Sequence, residues 1–471
     1  MMTQLLRAAP ALLLAATVQA QPLPAGAPVA SADPVLSELI RESLARRPEL
    51  HQADALVSAE RERVPQAGAL QDPVLSLGLQ NDGFNGLQIG KMGTSFWQVM
   101  ITQPLPWPGK LGLRSDVASS GVRLAQASVA RARLSAVADV RRAYLDLLLV
   151  RDRLALLTRL EALWTKAEGL ARIRYQTSEG SQSDLLRAQL ERNRLRQRRW
   201  ALGAEERTRL QAVNRLRAHP LDEPFPTTAT VGALPFPELP PLEAAVADAE
   251  RRSPELQVAR LAAERATQQV ALARRERYPD LAVTAAVMPR GSLDPMWSAG
   301  VSVSLPIFSG SKQSRAVAES EARAEAGESG AETVLQVLRL RVQDRLALLS
   351  SLLESARLYR DGLLIQSQAT ADSTLAQYRV GRVTFASVLE AIAGVIGDED
   401  GYLQTIAAAQ RVAIAADEVS LESAGGGSGG LSGGPVPGAG SSGGGPAASA
   451  GAGAASGGDP AGSNSSSMNK M

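Results

Sequence analysis

Side chains that could carry covalent or metal chemistry are few in this chain. It contains two histidines, His51 and His219, and no cysteine. Neither histidine lies in an H-E-x-x-H zinc motif, and no G-x-x-x-x-G-K-[ST] phosphate loop occurs. The nearest approach to that loop, Gly86 to Lys91, has the wrong spacing and is followed by Met92 instead of a hydroxyl residue. The sequence therefore predicts no catalytic site, no cofactor and no dedicated metal site.

Charge and cysteine content exclude further classes of protein. The net charge is only +2 at pH 7, although the isoelectric point is near 9.0. Nucleic-acid binders gain affinity by neutralising many phosphates, so a nearly neutral chain predicts no nucleic-acid partner. The absence of cysteine rules out disulfides and thiolate metal sites, and we also expect no lipid-anchor cysteine after a signal peptide.

The two ends of the chain differ from its centre in composition. Arg7 precedes an apolar run from Ala8 to Val18, and Val18-Gln19-Ala20 is typical of a signal-peptide cleavage site. We therefore expect residues 1–20 to be a signal peptide that directs export. Residues 424–471 consist almost entirely of Gly, Ser, Ala and Pro, and so predict a disordered tail that buries too little apolar surface to fold.

The part between the two ends is an internal duplication. Arg46-Arg47-Pro48-Glu49-Leu50 returns as Arg252-Ser253-Pro254-Glu255-Leu256. Ordered landmarks at matched spacing predict two halves of one architecture, residues 34–235 and 240–423. The further landmarks are a proline that opens a strand-like run (Pro73, Pro279), a Leu-Pro pair (Leu105-Pro106, Leu305-Pro306) and a tyrosine after a long helical stretch (Tyr175, Tyr378).

Each half contains two segments in which apolar and polar residues alternate. We predict strands near 73–82, 94–104, 279–289 and 296–306. In a soluble sheet such alternation places one face on a core and the other in water. In an exported protein it equally predicts lipid outside and a polar lumen inside, with Trp97 and Trp297 as an aromatic girdle.

Long proline-free stretches predict helices near 110–176, 182–218, 310–378 and 384–420. The first of these would be about 100 Å long, which coiled-coil packing requires and a globular core does not. Arg345 interrupts the apolar pattern of the third. Heptad spacing is followed by Val137, Val140, Tyr144, Leu147, Leu154, Leu157 and Trp164, and by Leu335, Leu338, Val342, Leu349, Leu352, Ala356, Tyr359 and Leu363.

Four strands in one chain cannot form a closed sheet in lipid, because the open edges would leave backbone hydrogen-bonding groups unsatisfied. Three copies supply twelve strands, an ordinary number for a membrane barrel. We therefore predict a mainly α-helical protein with a β-barrel shared by a homotrimer.

With these features the chain resembles the TolC-type outer-membrane efflux family from about Pro34 to Ser423. The segment Gln103-Pro-Leu-Pro-Trp-Pro-Gly-Lys110 is most similar to the heavy-metal branch of that family. The resemblance implies one outer-membrane β-barrel of twelve strands and one α-helical coiled-coil barrel that extends into the periplasm. It also implies a passive duct that docks an inner-membrane pump, of the RND type, through a periplasmic adaptor (membrane fusion) protein.

The resemblance also implies a gate at the periplasmic tips of the helices. Tyr378-Arg379-Val380-Gly381 matches the Tyr-x-x-Gly entry to the inner turn. Asp184 matches the acidic residue of the outer turn, which bonds the tyrosine equivalent to Tyr378 and holds the tip closed. Val383 occupies the position of a basic residue that reinforces closure in some members, so that second latch is missing here.

Two further positions match a constriction that many members line with acidic residues. Glu390 retains the carboxylate, whereas Ser387 departs from the pattern. A ring of three carboxylates around a narrow axis would favour cations; the alternative is that Glu390 is an ordinary solvated helix residue. In the outer turn Ser178 stands where members often have glycine, with Gly180 two residues later.

A protein of another class remains as an alternative: a periplasmic coiled-coil adaptor or scaffold of an export complex. Such a protein would have one helical hairpin between β-rich domains. Two hairpins, each preceded by a pair of strands, favour the duct.

Overall fold

The computed structural model describes residues 33–422, so the signal peptide expected at 1–20 and the tail expected at 424–471 lie outside the described residues. The first half opens with helices and strands in the order expected from the sequence. Its elements are α1 (Pro34–Arg46), α2 (Pro48–Gly68), β1 (Val74–Gln80), β2 (Phe96–Leu105), α3 (Lys110–Gln176) and α4 (Gln182–Leu216).

The second half has the same order of elements with one interruption. A π-helical turn, Tyr359–Leu363, divides the stretch that we expected as one helix over 310–378. The elements are a short 3-10 turn (Val231–Ala233), α5 (Leu242–Arg252), α6 (Pro254–Arg275), β3 (Leu281–Arg290), β4 (Leu293–Val303), α7 (Gln313–Leu358), α8 (Leu364–Arg379) and α9 (Phe385–Asp417).

The repeated Pro-Glu-Leu motif marks a break between two helices in each half. Pro48 opens α2 and Pro254 opens α6, because proline has the backbone angle of a first helical residue and needs no hydrogen-bond acceptor there. In the second copy the Ser253 hydroxyl accepts a hydrogen bond from the Leu256 amide at 3.2 Å and caps α6. The motif is therefore a helix boundary.

The four strands form one antiparallel sheet in the order β1-β2-β3-β4. Leu77, Val99, Val287 and Trp297 lie side by side across it, and all four are exposed. Trp97 lies on the same face, paired with Leu79. The opposite face carries residues such as Ser76, Met100, Ala286 and Ser298. The register thus gathers most of the large apolar residues of the four strands on one exposed face.

Strand β4 begins three residues earlier than the sequence pattern predicted. Gly291 and Ser292 join β3 to β4, since Arg290 pairs with Leu293. Gly291 has a φ of 67°, as a tight two-residue hairpin turn requires. Pro295 inside β4 made the early start hard to predict, because proline is excluded from central strands and tolerated at edges.

The helices form a layer around α3, the longest element. Helices α2, α4, α6 and α9 all pack against α3, and α7 packs against α6 and α9. Buried residues of α3 and α9, among them Val140, Leu147 and Ile406, form the largest apolar cluster. None of the helices within residues 33–422 is both long and apolar enough to cross a membrane.

Arg345, which interrupts the heptad pattern of α7, has a specific structural role. Its guanidinium is buried and donates hydrogen bonds to the backbone oxygens of Ser420 and of Glu422, the latter at 3.0 Å. Arg341 donates in the same way to the oxygen of Leu421 at 3.1 Å. Burial, together with the nearby charge of Arg341, lowers the pKa of Arg345 to about 10. These two arginines of α7 therefore bind the segment after α9, residues 420–422, to α7.

Replacing Arg345 with Met should lower the melting temperature of the detergent-purified protein. The substitution removes the hydrogen bond to the backbone oxygen of Ser420, a buried residue, and an unpaired buried acceptor costs about 1–3 kcal/mol. Arg339→Met is the matched control, because Arg339 lies on the same helix and its ion pair with Glu250 leaves the Arg339 side chain 50% exposed. Equal melting temperatures for the two variants would contradict the role given to Arg345.

Candidate functional site

The predicted gate residues lie at two turns at the same end of the helical layer. The first turn joins α3 to α4, and the second joins α8 to α9. In the first, Ser178 adopts a φ of 60°, and the amides of Glu179 and Gly180 both donate to the oxygen of Arg174. A Cβ on Gly180 would lie 2.9 Å from the Cβ of Arg174, so this turn needs its glycine at position 180.

The second turn depends on Gly381, which has a φ of 76° and donates its amide to the oxygen of Tyr378 at 3.0 Å. A glycine adopts this left-handed conformation without steric cost. The Tyr-x-x-Gly motif therefore ends α8 and reverses the chain into α9. Val383, two residues later, packs against the apolar cluster of the tip.

Tyr378 is a buried member of that cluster, which also contains Trp164, Phe385 and Val388. Its side chain is 1% exposed, and its ring lies 5.3 Å from the ring of Phe385. The hydroxyl donates a hydrogen bond to Oδ2 of Asp184 at 3.4 Å, a long distance for a hydroxyl donor. Burial raises the pKa of Tyr378, and the nearby charge of Asp184 adds to the increase. The phenol therefore stays protonated and can donate to the carboxylate.

Arg174 was not among the predicted site residues, yet it links the two turns. Its guanidinium lies over the ring of Tyr378, with 4.9 Å from Cζ to the ring centroid. It donates to the backbone oxygen of Tyr378 at 2.7 Å and to that of Glu179 at 3.1 Å. A basic residue in the last turn of α3 is the available sequence signal, because such residues often bond the free carbonyls of a helix end. The sequence cannot indicate that one of those carbonyls belongs to another helix.

A second charged group holds the hairpin of α3 and α4 together above the turn. Glu168 on α3 is buried and accepts hydrogen bonds from Arg172 at 2.8 Å and from Arg192 on α4. The bond from Arg192 is the main reason that the pKa of Glu168 is lowered. A buried carboxylate with two partners remains ionised, so it fixes α4 against α3.

Ser387 and Glu390 lie on the first turns of α9. The Ser387 hydroxyl is 3.3 Å from the hydroxyl of Thr384, the residue that directly precedes α9. Glu390 is exposed, and within residues 33–422 its carboxylate has no hydrogen-bond or ion-pair partner. Among the described residues, neither forms a hydrogen bond with Tyr378 or Asp184. The structure thus brings Tyr378, Asp184 and Gly381 together and leaves Ser387 and Glu390 apart from them.

The two tyrosines of the sequence repeat are not equivalent in space. Tyr378 is buried, whereas Tyr175 is 45% exposed. Among the residues that the structure describes, no group of three or more His, Asp or Glu side chains could hold a metal ion. The tip is therefore a packed junction of four helices held by a few polar contacts.

The sequence profile described as outer membrane efflux protein matches residues 39–219 and again 245–424. A comparison with curated protein sequences returns no significant match.

Several solved outer-membrane channels share the fold. The OprN channel and CusC each align with a TM-score of 0.69 and 19% identity; OprN covers 82% of this chain and 90% of its own, and CusC 83% and 91%. VceC of Vibrio cholerae aligns with a TM-score of 0.67 and 19% identity, over 83% of this chain and 97% of its own. The profile spans both halves, so the resemblance inferred from the sequence is confirmed: this chain belongs to the TolC-type outer membrane efflux protein family.

Proposed function

We propose that this protein is the outer-membrane channel of a tripartite efflux system and acts as a passive, homotrimeric duct. The observation that supports this proposal is the arrangement of the four-stranded sheet, its edges and its exposed apolar face. In the described chain β1 and β4 are its unpaired edges, and most of its large apolar residues lie on one exposed face. An exposed apolar face suits lipid, but lipid does not tolerate open edges. Three copies joined edge to edge form a twelve-stranded barrel with the polar face inward.

The partners in this proposal are a periplasmic adaptor protein and an inner-membrane pump of the RND type. The helical layer, more than sixty residues long in α3, has the length needed to extend from the membrane toward such partners. The alternative of a periplasmic adaptor is disfavoured, because both halves match the profile of the efflux channels.

We propose heavy-metal cations as the cargo, because the segment from Gln103 to Lys110 is most similar to the heavy-metal branch of the family. The contacts of that segment are internal to the fold. The Lys110 ammonium donates to Oδ1 of Asp280 at 2.8 Å and to the oxygen of Tyr278 at 2.7 Å, and the Trp107 ring stacks on the Tyr278 ring at 5.7 Å. The segment therefore joins β2 to α3, and cargo selection would depend on residues along the duct.

Detergent-extracted protein should behave as a trimer, because the edges of a four-stranded sheet need partners in an apolar medium. Light scattering with correction for bound detergent measures the mass of the protein alone. A stable monomer that dissolves in water without detergent would contradict the proposal.

At the tip we propose that the Tyr378 to Asp184 hydrogen bond helps to hold the duct closed. Replacing Tyr378 with Phe removes the hydroxyl and keeps the ring packed on Phe385. Single-channel conductance in planar bilayers should rise in Tyr378→Phe and in Asp184→Ala. A bond to a charged group contributes about 1.5–3 kcal/mol, and the 3.4 Å distance places this one at the weak end.

The double variant should add little to either change, since both substitutions remove the same bond. Arg174→Met is the informative comparison, because Arg174 also bonds the backbone of both turns and should raise conductance further. Unchanged conductance in both single variants would mean that apolar packing alone keeps the tip closed.

Glu390 is proposed to form a ring of three carboxylates around the axis. Glu390→Gln should then lower the preference for cations over anions, measured as the reversal potential across a KCl gradient. Because Glu390 is exposed and has no partner within the described chain, the variant should fold normally. Ser387→Ala is the matched uncharged control, and equal reversal potentials for both variants would assign Glu390 to the solvated surface.

A further inference from the structure

The helical layer near the tip has two edges that one chain does not cover. In the described part of the chain the extensive packing of α4 is on α3 alone. At the other edge α8 packs on α9, and the only hydrogen bond between α4 and α8 is the one from Tyr378 to Asp184. The sides of α4 and of α7–α8 that face away from these partners are open.

The open side of α4 carries an uncharged stripe with heptad spacing. Its members are Leu186, Leu190, Asn193, Gln197, Trp200 and Ala204, and all six are exposed. The side that faces α3 has its own buried residues, Ala188 and Leu195. Arginines occupy most of the remaining positions between 187 and 199. A helix with apolar or uncharged stripes on two sides packs against two neighbours.

Trp200 is the largest exposed residue of this stripe, with 75% of its surface accessible. It lies at the mouth of a groove between α3 and α4 that Leu154 and Thr158 also line. An isolated exposed apolar residue needs no explanation, but an indole in the middle of an uncharged heptad stripe indicates a contact surface.

The open side of α7 and α8 carries a second uncharged stripe at the same spacing. Its members are Leu348, Ser351, Ser355, Leu358, Gly362 and Ile365. Leu358 is 62% exposed and Ile365 is 64% exposed. Gly362 lies between them in the π-helical turn, and a Cβ placed on it would have only the end of the Leu358 side chain, at 3.9 Å, within 4 Å. The stripe therefore has a recess between two exposed apolar side chains.

The protrusion and the recess lie at the same level. The hydrogen bond from Tyr378 to Asp184 marks one level along both edges. Trp200 follows Asp184 by 16 positions on α4, and Gly362 precedes Tyr378 by 16 positions on the other edge. At 1.5 Å per residue both lie about 24 Å from that level. Rotation about a trimer axis leaves heights unchanged, so the match holds between neighbouring copies.

We propose that Trp200 of each protomer inserts between Leu358 and Ile365 of a neighbouring copy, over Gly362, and that this contact joins α4 to α7–α8 across the subunit boundary. The proposal rests on the trimer proposed above and names the occupant of this surface as a second copy of the chain. Because Trp200 is 75% exposed within the protomer, we expect the indole to contribute mainly to assembly and little to the folding of one subunit.

Because the natural chain has no cysteine, disulfide cross-linking tests this contact directly. The full-length double variant Trp200→Cys with Gly362→Cys, in detergent, should form linked trimers on mild oxidation, seen on a non-reducing gel and reversed by a reductant. Trp200→Cys with Leu348→Cys is the matched control. Leu348 lies 14 positions from Gly362 on the same stripe, about 21 Å away, and a disulfide requires Cα atoms within about 7 Å.

Cross-linking that fails with Gly362→Cys and also with Ile365→Cys, in protein that remains trimeric by mass, would overturn the proposed contact and leave the trimer intact. Monomeric protein would overturn the trimer and the contact together. Including Ile365→Cys keeps the test decisive if cysteine at 362 disturbs the π-helical turn.

A labelling experiment separates a second copy from another partner. In the assembled single variant Trp200→Cys, the neighbouring copy should cover the thiol. Its rate of reaction with a bulky maleimide should therefore be at least about tenfold lower in the native trimer than in the denatured protein. Rapid labelling in the native trimer would mean that this surface is open for a different protein, and would overturn the proposal.

The variant Trp200→Ala tests the same contact independently, through the thermal stability of the trimer. It should lower the temperature at which the trimer dissociates in detergent, whereas Leu221→Ala, which removes a 51% exposed apolar side chain away from both stripes, should not. Circular dichroism of both variants should match the natural protein. Equal dissociation temperatures for Trp200→Ala and Leu221→Ala would contradict the assigned role.

Discussion

Backbone and side-chain groups at the edge of a layer must find partners, and this constraint governs the whole molecule. One chain supplies a sheet with two open edges and a helical layer with two open edges. The sheet needs partners because unpaired amide and carbonyl groups are costly in an apolar medium. The helices need them because uncharged heptad stripes on α4 and α7–α8 remain exposed. In the proposed trimer, joining copies edge to edge would satisfy both requirements at once.

The joint between the sheet and the helices keeps the two layers aligned. Asp280, at the start of β3, accepts hydrogen bonds from the Lys110 side chain and from the Trp107 amide, and so connects the second half of the chain to the start of α3. Burial of Asp280 opposes its charge, but these bonds prevail and its pKa is lowered. At the far end of α9, Arg341 and Arg345 fasten the last described residues to α7. Charged groups thus define the ends of elements whose middles are apolar.

The two halves share an order of elements and yet differ where function would reside. Tyr378 is buried among Phe385, Arg174 and Asp184, while Tyr175 is largely exposed. The π-helical turn occurs only in the second half of the described chain, where Tyr359 packs near Gly401; a Cβ there would lie 2.7 Å from the tyrosine hydroxyl. Such turns insert an extra residue into a helix and are frequent at functional positions. The two halves therefore share one order of elements, whereas their tyrosines differ in burial and only the second contains a π-helical turn within the described residues.

The sequence by itself determined the strands, the long helices and the helix boundary at each Pro-Glu-Leu motif, because periodicity and proline act locally. It also brought Tyr378 and Asp184 together through the family resemblance. Tertiary structure alone decided that Arg174 bonds two turns, that Arg345 binds carbonyl oxygens near residue 420, and that β4 begins before Pro295. These features depend on which distant segments lie side by side, and no local pattern encodes the partner of a buried arginine or of an open helix face.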